Sequence, residues 1–71
     1  MSYDEIVTLL VPYEDRRTLT LADAVYMVLQ TEDRLKRIGA TIVRDNSEEI
    51  RHAQMVKIYD RADFPRRPIS N

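Results

Sequence analysis

The chain has 71 residues, enough for one small domain, with 11 basic and 12 acidic side chains, a formal net charge of -1 and no cysteine. The missing thiols exclude disulfides, thiolate metal sites and cysteine nucleophiles, and the balanced charge argues against a broad phosphate-binding surface. With 44% hydrophobic and 32% charged residues, the composition suits a folded domain, but one this small buries only roughly 60% of the surface its unfolded chain exposes.

The opening residues, Met1-Ser2-Tyr3-Asp4-Glu5, place no basic segment ahead of an apolar run and do not read as a secretory signal. Ser2 and Glu5 stand at capping-box spacing, and Pro12 disfavours helix at Val11, so a short helix from Tyr3 to about Leu10 is expected. The same stretch, Ile6-Val7-Thr8-Leu9-Leu10-Val11, is apolar and partly β-branched, which makes a strand over 5–11 the alternative.

The spacing next predicts a long helix over 21–38. Thr20 is a good N-cap, with Asp23 three residues on. Glu32 with Lys36, and Asp33 with Arg37, stand at i,i+4 in the favourable order, and the two basic residues fall where a last turn would be. Gly39, the single glycine of the chain, follows as the expected C-cap with positive φ.

Ala40-Thr41-Ile42-Val43-Arg44-Asp45 reads as an extended connection that drops Ile42 and Val43 into the core, with a short strand over 40–45 as the alternative. A second helix is predicted over 47–62. Asn46 and Glu49 have capping-box spacing, Glu48 and Glu49 suit a first turn, and Ile50, Ala53, Val56 and Tyr59 recur every three residues, widened by Met55 and Ala62. The two prolines of Pro65-Arg66-Arg67-Pro68-Ile69-Ser70-Asn71 and its lack of periodicity point to a tail over 65–71, not needed for folding, after a single domain over 1–64. The expected fold is therefore an all-α helical hairpin with a short N-terminal helix, and the alternative is a small α/β domain with strands near 5–11 and 40–45.

The residues that bear on function lie in the first long helix. Ala24-Val25-Tyr26-Met27-Val28-Leu29 would be apolar on every side, and one small intramolecular core covers only one broad face. Val25, Tyr26, Met27 and Leu29 are accordingly the expected partner-binding residues, with a homodimer as the simplest assembly. The competing reading has the N-terminal segment wrap over the second face.

Glu49 and His52 have the Glu-x-x-His spacing that binds metal in helical bundles, and Glu32 is a conceivable third ligand. Glu49 also suits an ordinary acidic first turn, and no metal or other cofactor is expected. Two helices invite a helix-turn-helix reading. The connection from Gly39 to Asp45 is too long for one, and a recognition helix opening on Glu48-Glu49 would repel phosphates. Ser2, Ser47 and Ser70 sit at ends or caps with no base placed by sequence, so catalysis is not expected.

The longest apolar run, Ala24–Leu29, is far too short to span a bilayer, and a cytoplasmic location is expected. These readings converge on a small, non-catalytic protein–protein interaction module, self-associating or binding a partner protein through the first long helix. A nucleic-acid-associated regulator and a carboxylate–histidine metal protein are the alternatives.

Overall fold

The computed structural model describes residues 2–65. Of the tail expected over 65–71, all but Pro65 lies outside the described residues. Among the described residues the order is β1 (Ile6–Leu10), β2 (Arg17–Thr20), α1 (Leu21–Leu29), α2 (Arg34–Gly39), β3 (Thr41–Val43), β4 (Glu49–Arg51) and α3 (His52–Tyr59). The strands form one antiparallel sheet in the order β2-β1-β3-β4. The all-α expectation is wrong: one of its helices is a strand, one is broken in two and one is shortened, each for an identifiable physical reason.

The N-terminal helix is instead the central strand. Val7 and Leu9 are buried while Ile6 and Leu10 are exposed, a period of two that β-branched residues favour. The Ser2–Glu5 capping box does not form. Glu5 gives both carboxylate oxygens to Arg44, with Nε and Nη2 each 2.9 Å away. The strands expected by the α/β alternative do occur near its segments, at Ile6–Leu10 and Thr41–Val43, and they pair antiparallel, Leu9 opposite Ile42. That alternative contained neither β2 nor β4.

The long helix over 21–38 is two helices. Thr20 caps α1 as expected, its Oγ1 accepting from the Asp23 N–H at 3.2 Å. The helix stops after Leu29, where the Thr31 hydroxyl donates to the Met27 carbonyl at 2.9 Å. Asp33 then starts α2, its Oδ1 accepting from the N–H groups of Leu35 and Lys36 at 3.0 and 3.2 Å. The expected i,i+4 pairs are displaced by these roles, for Lys36 reaches Glu14 at 2.9 Å and Arg37 donates to the Thr31 carbonyl at 3.1 Å.

Gly39 does not take positive φ. It belongs to α2, and Ala40 is the C-cap. What position 39 requires is room, because a Cβ there would stand 2.7 Å from Cγ of Pro12.

The helix over 47–62 begins only at His52. Asn46 accepts from the Glu48 N–H at 3.0 Å, Ser47 has φ of 70°, and the Arg44 N–H donates to the Glu48 carbonyl at 2.8 Å, which closes a β-hairpin between β3 and β4. Within β4 Ile50 is buried between exposed Glu49 and Arg51. The helix after it buries Met55 and Ile58, so the apolar stripe is turned away from Ala53 and Val56.

The core lies between the sheet and the helices. Val7, Leu9, Ile42 and Ile50 from the sheet meet Leu21, Ala24, Val25 and Val28 of α1 and Met55 and Ile58 of α3. Phe64 closes one end, packed edge-on against Tyr3 with centroids 5.1 Å apart and tilted against Tyr59 at 5.2 Å. The Tyr3 hydroxyl donates to Asp63 at 2.7 Å, joining the first strand's approach to the end of the described chain.

Candidate functional site

Among the described residues α1 and α3 cover one side of the sheet, and the other side is open. The registers identify its residues. Thr8 faces Thr18 on β2 and Val43 on β3, Leu10 faces Thr41, and Val43 and Thr41 in turn face Glu49 and Arg51. Together with Ile6, these side chains point away from the core, because Val7, Leu9, Ile42 and Ile50 alternate with them and are buried. Ile6 is 57% exposed and Leu10 41%. On the three strands β2, β1 and β3 this face carries threonine, isoleucine, leucine and valine and no charge. That is notable in a chain 32% charged. On β4 the charges of Glu49 and Arg51 neutralise each other at 2.9 Å.

One end of the face is bounded by a polar cluster. A groove of about 420 Å³ runs along Ile6, Thr8, Thr18 and Val43 to Glu5, Arg44 and Asp45. Arg44 holds Glu5 bidentately and also bonds Glu48. The hydrogen bonds from Arg44 hold the Glu5 carboxyl below the usual carboxylate range, and those to Glu5 and then Glu48 raise Arg44 above its ordinary value. Both partners are thereby occupied with each other. The cluster sets the end of the strands and the start of the hairpin, and its single cation, Arg44, is shared between two carboxylates, so it offers no free positive charge to a ligand.

The four residues expected to bind a partner are not on this face. Val25 is 0% exposed, enclosed by the chain's own core. Met27 and Leu29 are partly buried against that core, and Tyr26 is half-buried. Met27 lies toward β2, where its Sδ accepts from Arg17 Nη1 at 3.1 Å. α1 is strongly apolar, as its sequence implies, but it is flanked by more elements than a hairpin supplies: the sheet lies under it and α3 beside it.

The helical spacing behind the metal reading does not exist. Glu49 is on a strand, bonded to Arg51, and His52 is the first residue of α3. Among the described residues no group of three or more His, Asp or Glu side chains is placed to hold a metal ion. The helices that a helix-turn-helix reading would join are separated by β3 and β4. Among the described residues no polar or charged side chain is buried. None of their helices is long and apolar enough to cross a membrane.

No family model matches the chain, and the comparisons with characterised proteins and with solved structures likewise give no match.

Proposed function

We propose that this chain is a small, non-catalytic, cytoplasmic protein–protein interaction module that works through the open face of its sheet. The observation that carries the reading is the exposure of Ile6 and Leu10 on a face with no net charge. Such a surface loses little on desolvation and gains from apolar contact. Its partner is a protein surface that is itself flat, apolar and uncharged. A nucleic acid would need a cluster of basic side chains, and β2, β1 and β3 present none on this side.

The test is site-directed crosslinking in the native host. A photoreactive residue replacing Thr8 is compared with one replacing the exposed Lys57 on α3. A defined protein should be joined through position 8 and not through position 57, and Ile6→Lys should abolish the product while leaving the circular dichroism spectrum intact. Equal crosslinking from both positions, or a product indifferent to Ile6→Lys, would show that the open face is not the contact.

A further inference from the structure

The two edges of the sheet differ in a way that decides how copies of this chain can meet. The hydrogen-bond phase follows from one contact, the Leu21 N–H to the Glu5 carbonyl at 2.8 Å. Residues 5 and 21 are therefore a hydrogen-bonded pair. By alternation the bonded pairs between β1 and β2 are Val7 with Leu19 and Leu9 with Arg17. The main-chain groups of Thr18 and the N–H of Thr20 consequently point outward, away from β1, along a strand whose Thr18 side chain is exposed. Nothing among the described residues bonds the Thr18 N–H. β2 contains no proline and no lysine, and its one charged residue, Arg17, has its main chain bonded to β1 and its side chain on Met27, so neither outward residue, Thr18 or Thr20, is charged.

The opposite edge is closed. In β4, the Arg44–Glu48 bond puts Ile50 in phase with β3 and turns Glu49 and Arg51 outward. The Arg51 N–H is already taken by Gln54 Oε1 at 3.0 Å, the strand has only 3 residues, and both outward residues are charged. One edge of this sheet is thus blunted and the other is left ready to pair.

We infer that two copies of the chain join β2 to β2, antiparallel about a two-fold axis through Thr18, to form one continuous sheet. This rests on the reading as an interaction module and names one of its partners, a second copy. In this register Thr18 faces Thr18 of the other copy and exchanges both main-chain bonds with it, and the Thr20 N–H donates to the other copy's Arg16 carbonyl. No like charges stand directly opposite, because Arg16 lies opposite Thr20 and Arg17 opposite Leu19; the two Arg17 side chains are diagonal neighbours, each turned onto the Met27 sulfur of its own copy. Met27, which leans over β2 through its contact with Arg17, comes beside the seam.

The joining also enlarges the open face. With strands about 4.8 Å apart and about 3.3 Å of rise per residue, one copy's face covers roughly 300 Å² in projection. A standard interface buries about 800 Å² on each partner. Two faces made continuous come much closer to that size than one alone.

The test uses the whole chain. Light scattering from micromolar to millimolar concentration gives the assembly state, and amide hydrogen exchange reads the edge directly. The expected result is a dimer in which the Thr18 N–H exchanges at least roughly tenfold more slowly at millimolar than at micromolar concentration. Thr18→Pro should give a monomer, since it removes a donor that the chain's own ladder does not use. Thr18→Val, which keeps that donor, should dimerise like the wild type. If Thr18→Pro does not fold, the concentration dependence of the wild-type amide decides.

Rapid Thr18 exchange at every concentration overturns the inference. So does a dimer that survives Thr18→Pro and is lost in Ile6→Lys, which would mean that copies meet through their open faces, the interaction reading standing while the edge pairing falls. Protection independent of concentration that vanishes on truncation after Phe64 also overturns it, by assigning the edge to the chain's own C-terminal residues.

Discussion

Replacing Gly39 by alanine should destabilise the protein by about 1 kcal/mol, through crowding rather than through backbone strain. Two effects oppose each other. Alanine favours a helix by about 1 kcal/mol over glycine in an interior position, and by less at the last residue of α2. Against this, the new methyl would lie 2.7 Å from Pro12 Cγ. The obstacle is a ring in a short loop, tied to α2 by the Glu14–Lys36 pair, so it cannot swing aside as the tip of a long side chain would. Forcing an extra methyl into a packed contact costs about 1–3 kcal/mol. The balance should lower the melting temperature by roughly 4–8 °C for a domain of this size. The decisive assay is a double-mutant cycle followed by thermal and urea denaturation. In a Pro12→Ala background, Gly39→Ala should become neutral or slightly stabilising, because only the helix preference remains. An equal loss in both backgrounds would refute the reasoning and put the cost in the glycine's own conformation.

Two further outcomes follow from contacts described above. Phe64→Ala should destabilise by about 3 kcal/mol, at the low end for a buried phenylalanine because its ring neighbours Tyr3 and Tyr59 are only partly buried and can settle into the gap; thermal denaturation checks it, and a loss under about 1 kcal/mol would mean that Tyr3 and Tyr59 pack without it. The Glu5–Arg44 pair makes stability fall in acid. The Glu5 pKa is lowered in the folded state, so its contribution is present above the unfolded carboxylate value and disappears as pH drops through the folded one. Urea midpoints measured downward from pH 6 should therefore decline less in Glu5→Gln than in the wild type, and parallel curves would assign the acid sensitivity elsewhere.

What could be read from the sequence was decided by how local the deciding interaction is. Thr20 starts a helix through a contact three residues away, and it does so in the structure. Asp33 has two equally local options, a partner four residues on or the N–H groups just ahead of it, and its oxygen takes the second. Asn46-Ser47 can open a helix or turn a hairpin. The choice depends on Ile50 pairing with Ile42 across β3 and β4, which no window around Asn46 contains. β2 gave still less signal, because Leu19 is the single large apolar residue in Arg17-Thr18-Leu19-Thr20. The open face was hidden for the same reason. Ile6 and Leu10 look like core residues in a helical reading, and only strand alternation places them outside. The apolar run around Val25 and Met27 shows in the sequence that α1 must be covered, but not that a sheet of β1 and its neighbours covers it, because that depends on pairing between distant segments.

The clasp at Tyr3 has a bearing on how the chain comes to be folded. Its hydrogen-bond partner lies 60 positions later, and its ring partner is Phe64. Closing so long a loop costs only slightly more entropy than closing a shorter one, but the closure waits for the whole intervening chain. During synthesis the hairpin of β1 and β2 can form with α1 at its back, while the approach to β1 stays unpinned until Asp63 and Phe64 have left the ribosome. β3 can complete the pairing of β1 before then, so it is only the segment leading into β1 that waits. A nascent chain stalled before residue 63 should consequently be far more open to proteases at its N-terminal end than one stalled well beyond it.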